Sequence, residues 1–356
     1  MGRFLNDQAS PAFNGWMLPE SPLLPTLPRV PILAIAVLAW SGVSSVCATA
    51  EEKFALYKST DGGASWSVAG QGLPTDARIN ALSSTGHVLL AGTDRGIFTS
   101  QDSGITWHTV STNDQEFRVL CFANVHEQSF AGTQNRGVLA SDDHGQTWHA
   151  VNSGLTDLWI RSLLGVGAKL YAGTDGQGVF VSEKQHRWTR QAAGLPETSQ
   201  VFDLAELNTT IYAGLYTKGL YRWDTGHQSW IKTGHVSPLE MVAAGGSLVV
   251  GHNPGGIFFS GDEGKSWLDG NQGLPESTPV WTLAAGEGRV LLGTTGKLGP
   301  LQDDVSLFSS VDGGKSWMRS DAGIPASSAA ISFYLDKDFL LVGLVLHGGA
   351  PILPSL

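Results

Sequence analysis

Short runs in which apolar and polar positions alternate fill most of this chain, and Gly, Asp, Ser or Asn closes nearly every run. Between Ile79 and Val110 they read INALSS, HVLLAGT, GIFTSQDSG and TWHTV. A period of two, with β-branched and aromatic residues between turn formers, predicts four strands joined by tight turns. The middle phrase returns as FAGTQNRGVLAS, YAGTDGQGVFVS, YAGLYTKGLYRW and VVGHNPGGIFFS, and helical periodicity is nowhere sustained. Each unit closes on a tryptophan: Trp66, Trp107, Trp148, Trp188, Trp230, Trp267 and Trp317, in steps of 41, 41, 40, 42, 37 and 50 residues. That period suits a four-stranded sheet repeated radially, whereas a sandwich has no need of equal spacing. The expected fold is therefore all-β, a seven-bladed β-propeller of four-stranded antiparallel blades over residues 51–356. The first unit starts with FALYKS (Phe54 to Ser59), a third strand lacking its first two, and the last residues supply AISFYLDKD and FLLVGLVLHGG with no third strand after them. One blade is then shared between distant parts of the chain, which closes the ring without a long unpaired edge.

The turn before each closing tryptophan carries a repeated phrase: STDGGASW, SQDSGITW, SDDHGQTW, SGDEGKSW and SVDGGKSW. It falls where the third strand must turn into the fourth. An Asp side chain there bonds backbone amides, the following Gly accepts positive φ, and the indole folds back over the turn. These phrases resemble the Asp-box of the BNR-repeat families, S-x-D-x-G-x-x-W, with Asp61, Trp66, Asp102, Trp107, Asp143, Trp148, Asp262, Trp267, Asp312 and Trp317 as its structural residues. Two units depart from it. SEKQHRW (Ser182 to Trp188) lacks both Asp and Gly, and DTGHQSW (Asp224 to Trp230) has one extra residue before its Trp. A ligand-binding element used in every blade would not decay in two, so the box is read as architectural.

Composition adds constraints on partners and compartment. With 15% charged and 42% hydrophobic residues the chain is globular, and 45 glycines fit a turn-rich fold. A net charge of -10 disfavours nucleic acid as the main partner, because phosphate binding needs a basic surface. Arg29 precedes the apolar run VPILAIAVLAW (Val30 to Trp40), and ATA (Ala48 to Ala50) offers small residues before Glu51. Residues 1–50 are therefore expected to be a cleaved export signal. The alternative is an uncleaved membrane anchor or a peripheral association, although the run is shorter than the roughly 20 residues that span a bilayer. The length before Arg29 raises Met17 as a second start. SSVC around Cys47 lacks the residues that precede a lipidated cysteine. Cleavage leaves Cys121 alone, so the mature protein depends on packing rather than on a disulfide.

Candidate chemistry gathers where the innermost strands begin. Aligned on the glycine that follows, those strands place Asn80, Leu120, Arg161, Phe202, Glu240, Trp281 and Ile331 at one expected position on the channel mouth. Arg78 and Arg118, with Arg161, open three successive strands; Arg95 and Arg136 occupy the matching loops GTDRG and GTQNRG, and Trp159 lies beside them. Five guanidinium groups in one sector would hold a carboxylate or an acidic peptide by forked hydrogen bonds. The other reading is that each pairs with Asp76, Asp94 or Glu116 and ties loops together. The loop at 296–306 in the seventh unit is either a lid or a solvated connection. Among Asp-box proteins, sialidases, xyloglucan-type hydrolases, sortilin-like receptors and photosystem II assembly factors, the resemblance covers about residues 54–346. It implies a binding or assembly propeller recognising a polypeptide or carboxylate-bearing ligand, monomeric and without cofactor or metal. The alternative it leaves open is a glycosidase acting on carbohydrate. The nearest stand-ins for sialidase residues are Tyr216 with Glu240, and Asp94 or Asp203 as acid, but no RIP motif occurs in the repeats. No H-E-x-x-H spacing, nucleophile elbow or phosphate loop is present either.

Overall fold

The computed structural model describes residues 53–346 except 111–115, 184–186, 235, 237, 253–254, 277, 295–306 and 327. The expected export signal and the loop at 296–306 lie outside the described residues. Among the described residues there are seven antiparallel sheets of four strands each. The innermost strands are Ile79–Thr85 in blade 2, Val119–Val125 in blade 3, Ile160–Val166 in blade 4 and Val201–Leu207 in blade 5. Pro238–Ala244, Thr282–Gly286 and Ser328–Leu335 follow in blades 6, 7 and 1. Each packs against the next and the last returns to the first, so the strands form a ring around a central channel. The fold is a seven-bladed β-propeller.

Blade 1 closes the ring as the sequence predicts. Its strands run in the order Ser67–Ala69, Lys53–Ser59, Leu340–Leu346 and Ser328–Leu335, two from each end of the described chain. Lys53 pairs with Leu346 and the register continues without a break to Ser59 opposite Leu340. The sequences FALYKS and FLLVGLVL are apolar because both faces of these strands are covered by neighbouring blades, and Leu341, Val342 and Leu344 are fully buried.

The repeated phrase builds the same turn each time. In blade 1, Asp61 Oδ1 accepts from Ser59 Oγ at 2.7 Å and from Ser65 N at 2.9 Å, and Oδ2 accepts from Ser65 Oγ at 2.5 Å. Gly63, at φ 89°, donates its N–H to Ser59 Oγ at 2.8 Å. The hydroxyl just before the tryptophan is therefore part of the device, and Thr106, Thr147, Ser266 and Ser316 repeat the contact. Trp66, Trp107, Trp188, Trp230 and Trp317 are buried, and several of them stitch blades together. The indole N–H of Trp66 donates to Ser320 O of blade 7, that of Trp188 to Val151 O of blade 3, and that of Trp317 to Gly270 O of blade 6. Trp188 and Trp230 keep this link, Trp230 donating to Gln191 O, in the two blades whose boxes have decayed. In these four blades the tryptophan is thus an inter-blade clamp, and where the box is complete the Asp and Gly shape the turn that presents it.

Candidate functional site

One face of the ring is assembled where the loop before each innermost strand meets the loop between the second and third strands. Asp94 N donates to Arg78 O, Gln134 N to Arg118 O, and Asp175 N to Trp159 O. The third strands run away from this face, so the Asp-boxes at their far ends lie on the opposite one. Immediately beyond these junctions, six innermost strands contain a register shift, a β-bulge whose extra residue turns toward the channel. The bulged residues are Asn80, Leu120, Arg161, Phe202, Leu239 and Ile331, and Trp281 takes the corresponding place in blade 7, its N–H bonded to Gly293 O.

Two sequence assignments are corrected by this register. Glu240 is not at the bulge; it pairs with Gly251 and belongs to the next position along the channel wall, with Ala81, Cys121, Ser162, Asp203, Thr282 and Ser332. Arg161 is not equivalent to Arg78 and Arg118; Trp159 is. A bulge is a property of the backbone, and it shifts by one residue which side chain faces the channel.

The arginines divide into spent and open groups. Arg95 bridges Asp76 at 2.5 Å and Glu116 at 3.3 Å, so it ties two loops, as the architectural reading expects. Asp94 receives the backbone N–H of Arg78 at 2.7 Å rather than its guanidinium. Arg161 pairs with Asp175, whose Oδ1 also accepts from Gln200 Nε2 at 3.3 Å. Arg136 lies 4.9 Å from the Phe117 ring, and Arg78 lies 5.9 Å from Trp281 across the mouth. Arg118 differs: it makes no ion pair among the described residues, and its buried Nε has no hydrogen-bond partner there. Asn80 Nδ2 donates to Val119 O at 2.9 Å and so joins blades 2 and 3.

Beside these charges lies a stack that the sequence does not reveal. The Arg161 guanidinium sits 5.3 Å from the Trp159 ring and 4.4 Å from Phe202. Phe202 in turn stacks on Tyr216 at 4.8 Å, with 16° between the ring planes. Tyr216 is 40% exposed and Trp281 45%, and Leu158 is exposed close by, so the mouth presents an apolar, aromatic surface. The sequence marks Tyr216 only as a stand-in for a sialidase tyrosine beside Glu240, and its stacking on Phe202 comes from the fold.

Deeper in the channel, Asp203 and Glu240 occupy matching positions on adjacent strands. Asp203 Oδ2 accepts from Met241 N at 2.6 Å, and Oδ1 from Leu204 N at 2.8 Å. Burial raises the Asp203 carboxyl above its ordinary range against the lowering effect of those two amides. Burial, and then the Asp203 charge, raise Glu240. The Cys121 thiol on the same wall is pushed far up by burial and by both acids, which leaves it neutral and unreactive. Among the described residues no group of His, Cys, Asp and Glu is placed to hold a metal ion.

Comparison with known proteins agrees with this geometry. The BNR/Asp-box repeat matches residues 139–150, which include the box of blade 3. No curated protein matches the sequence. Among solved structures, YCF48 bound to a D1 peptide is 18% identical with a TM-score of 0.58, over 76% of this chain and 94% of that one. YCF48 from Cyanidioschyzon merolae is 15% identical with a TM-score of 0.58, over 77% and 97%. The extracellular domain of the hybrid two-component system BT4673 from B. thetaiotaomicron is 14% identical with a TM-score of 0.61, over 77% of this chain and 38% of that one. The repeated boxes, the clamping tryptophans and the closed ring of four-stranded sheets make this chain a seven-bladed β-propeller that carries the BNR/Asp-box repeat.

Proposed function

We propose that the protein is a non-catalytic binding propeller that works outside the cytoplasm and holds an acidic or carboxylate-bearing polypeptide at the channel mouth. The observation that carries this reading is Arg118, a guanidinium with no carboxylate partner among the described residues, set in a mouth lined by exposed aromatic side chains. A partly desolvated arginine is a strong site for a carboxylate, because its planar donors match the two oxygens. That a propeller of the same fold, YCF48, has been solved with a D1 peptide supports a polypeptide as the ligand class. The glycosidase alternative draws less support. That chemistry needs one ionised and one protonated carboxyl facing the sugar, whereas burial pushes both Asp203 and Glu240 toward the neutral form and Asp203 is tied down by two backbone amides. Tyr216, the other stand-in, is engaged in the stack with Phe202.

Export rests on Arg29, the apolar run Val30 to Trp40 and the small residues before Glu51; the expected amino terminus of the mature protein is Glu51, which mass spectrometry of the exported form would read. Binding is tested by panning the mature protein against random peptides displayed with free carboxyl termini. Wild type should enrich acidic sequences. Arg118→Ala should lose that enrichment, and Arg95→Ala, whose charge is already paired, should keep it. Enrichment without acidic bias, or an unaltered bias in Arg118→Ala, overturns the reading.

A further inference from the structure

The stack beside Arg118 has a direction and an open end. Arg161 lies 4.4 Å from the centre of Phe202, and Tyr216 lies 4.8 Å from the same centre and nearly parallel to it. A guanidinium and a parallel phenol ring cannot share one face of a benzyl ring at those separations, so they take opposite faces. The order is then Trp159, Arg161, Phe202, Tyr216, with the Arg161 charge neutralised by Asp175 and the terminal Tyr216 40% exposed. The two inner layers, Arg161 and Phe202, are held from both sides, so the terminal ring loses little further freedom when something settles on it.

We infer that the outer face of Tyr216 is a subsite for a ring-bearing residue, proline or aromatic, of the same peptide whose carboxylate is held at Arg118. This rests on the binding function proposed above and adds a second specificity element to it. An aromatic face takes the flat hydrocarbon of a proline, an aromatic side chain or a sugar, and the surroundings decide among them. Sugar platforms need free polar side chains beside the ring to read hydroxyls. Here Lys218 and Gln200 are engaged, Lys218 Nζ donating to Glu197 O at 2.9 Å and Thr198 O at 2.8 Å and Gln200 to Asp175, and Thr217 offers one short hydroxyl. A peptide side chain that contributes only a ring makes no such demand. The mouth is thus graded, cationic at blade 3 and apolar at blades 4 and 5, and it would read a peptide in one orientation.

The same display experiment separates this inference from the function on which it rests. Wild type should enrich peptides that carry a proline or aromatic residue at a fixed spacing from an acidic group. Tyr216→Ala should keep the acidic preference and lose the ring preference, and should bind individual wild-type-selected peptides about tenfold more weakly, the loss of a typical stacking contact. Tyr216→Phe should restore both. Thermal unfolding of Tyr216→Ala should stay cooperative, with a midpoint lowered by no more than about 2–4 °C, the loss of its stacking contact with Phe202. An acidic preference with no ring preference in wild type, or a ring preference that survives Tyr216→Ala, overturns the subsite and leaves the function intact; absence of any acidic preference overturns both. Binding to a glycan array that is lost in Tyr216→Ala would also overturn the inference, in favour of a sugar on the platform.

Discussion

At the scale of single residues, the closing tryptophans look alike in sequence and differ in what they hold. Trp107 is buried and its indole donates to Gly104 O at 3.0 Å, whereas Trp267 is only partly buried and its Nε1 has no partner among the described residues. Removing the Trp107 ring leaves a cavity and an unbonded carbonyl, so Trp107→Ala should cost about 3–5 kcal/mol in denaturant unfolding. The phenylalanine variants separate the two terms. Trp107→Phe should be more destabilising than Trp267→Phe by about 1 kcal/mol, the net worth of one hydrogen bond; equal costs would mean that the indole N–H contributes nothing. The spacing of tryptophans was legible because each must recur once per blade. The hydroxyl before each of the five complete boxes was equally visible, as Ser65, Thr106, Thr147, Ser266 and Ser316, yet its role emerges only once the Asp carboxylate is seen to accept from it. Where an indole donates could not be read at all: Trp66 and Ser320 lie 254 residues apart and meet through the closed ring.

At the scale of strands and blades, the glycine that recurs in every second strand is explained by the blade next to it. A Cβ at Gly92 would sit 2.5 Å from Val119 Cγ1 and 2.9 Å from Phe122 Cε2, on the innermost strand of blade 3. The backbone there is ordinary strand, so the requirement is close approach and not φ. Gly92→Ala should destabilise by about 1–3 kcal/mol through overpacking between blades 2 and 3, and a thermal midpoint equal to wild type would show that the blades separate freely. Closure makes a larger demand. Removing residues 329–356 deletes Leu340–Leu346 and most of Ser328–Leu335, exposing the edge of Lys53–Ser59. The truncated chain should aggregate or unfold without a cooperative transition, as size-exclusion chromatography and calorimetry would record. The shared blade was foreseen because incomplete units stand at both ends of the repeats. The bulges were not, since an extra backbone residue leaves no residue-type signature, and this is why Glu240 was aligned with Phe202 when it belongs with Asp203. The arginines divide for a related reason: sequence places them in one sector, but Asp76 and Glu116 engage Arg95 and Asp175 engages Arg161.

At the scale of the whole molecule, carboxyls at two ends of the blades respond to pH in opposite senses. On the Asp-box face, burial would raise the Asp102 carboxyl, but bonds from Thr106, Ser100 and the Ile105 amide outweigh it and hold the pKa at about 2. A group lowered on folding stabilises the protein above its unfolded pKa, near 4, and loses that contribution as pH falls toward about 2. Asp203 and Glu240 are raised instead, so the folded channel prefers their protonated forms. Their contribution is full below the unfolded value of about 4 and declines as pH rises through the raised one. The groups that feel this charge are Cys121 on the innermost strand of blade 3, itself held neutral, and the Met241 amide on the strand next to Asp203, which favours an ionised Asp203. Glu240→Gln keeps the shape and removes one of the two ionisations. At pH 4 its thermal midpoint should equal that of wild type; at pH 7 it should be higher by roughly 2–4 °C, the shift that about 1 kcal/mol produces in a large domain. A constant difference across that range would mean that Glu240 does not titrate in the channel. A lower midpoint at pH 7 would mean that its ionised form is stabilised there, reversing the direction that burial beside Asp203 imposes.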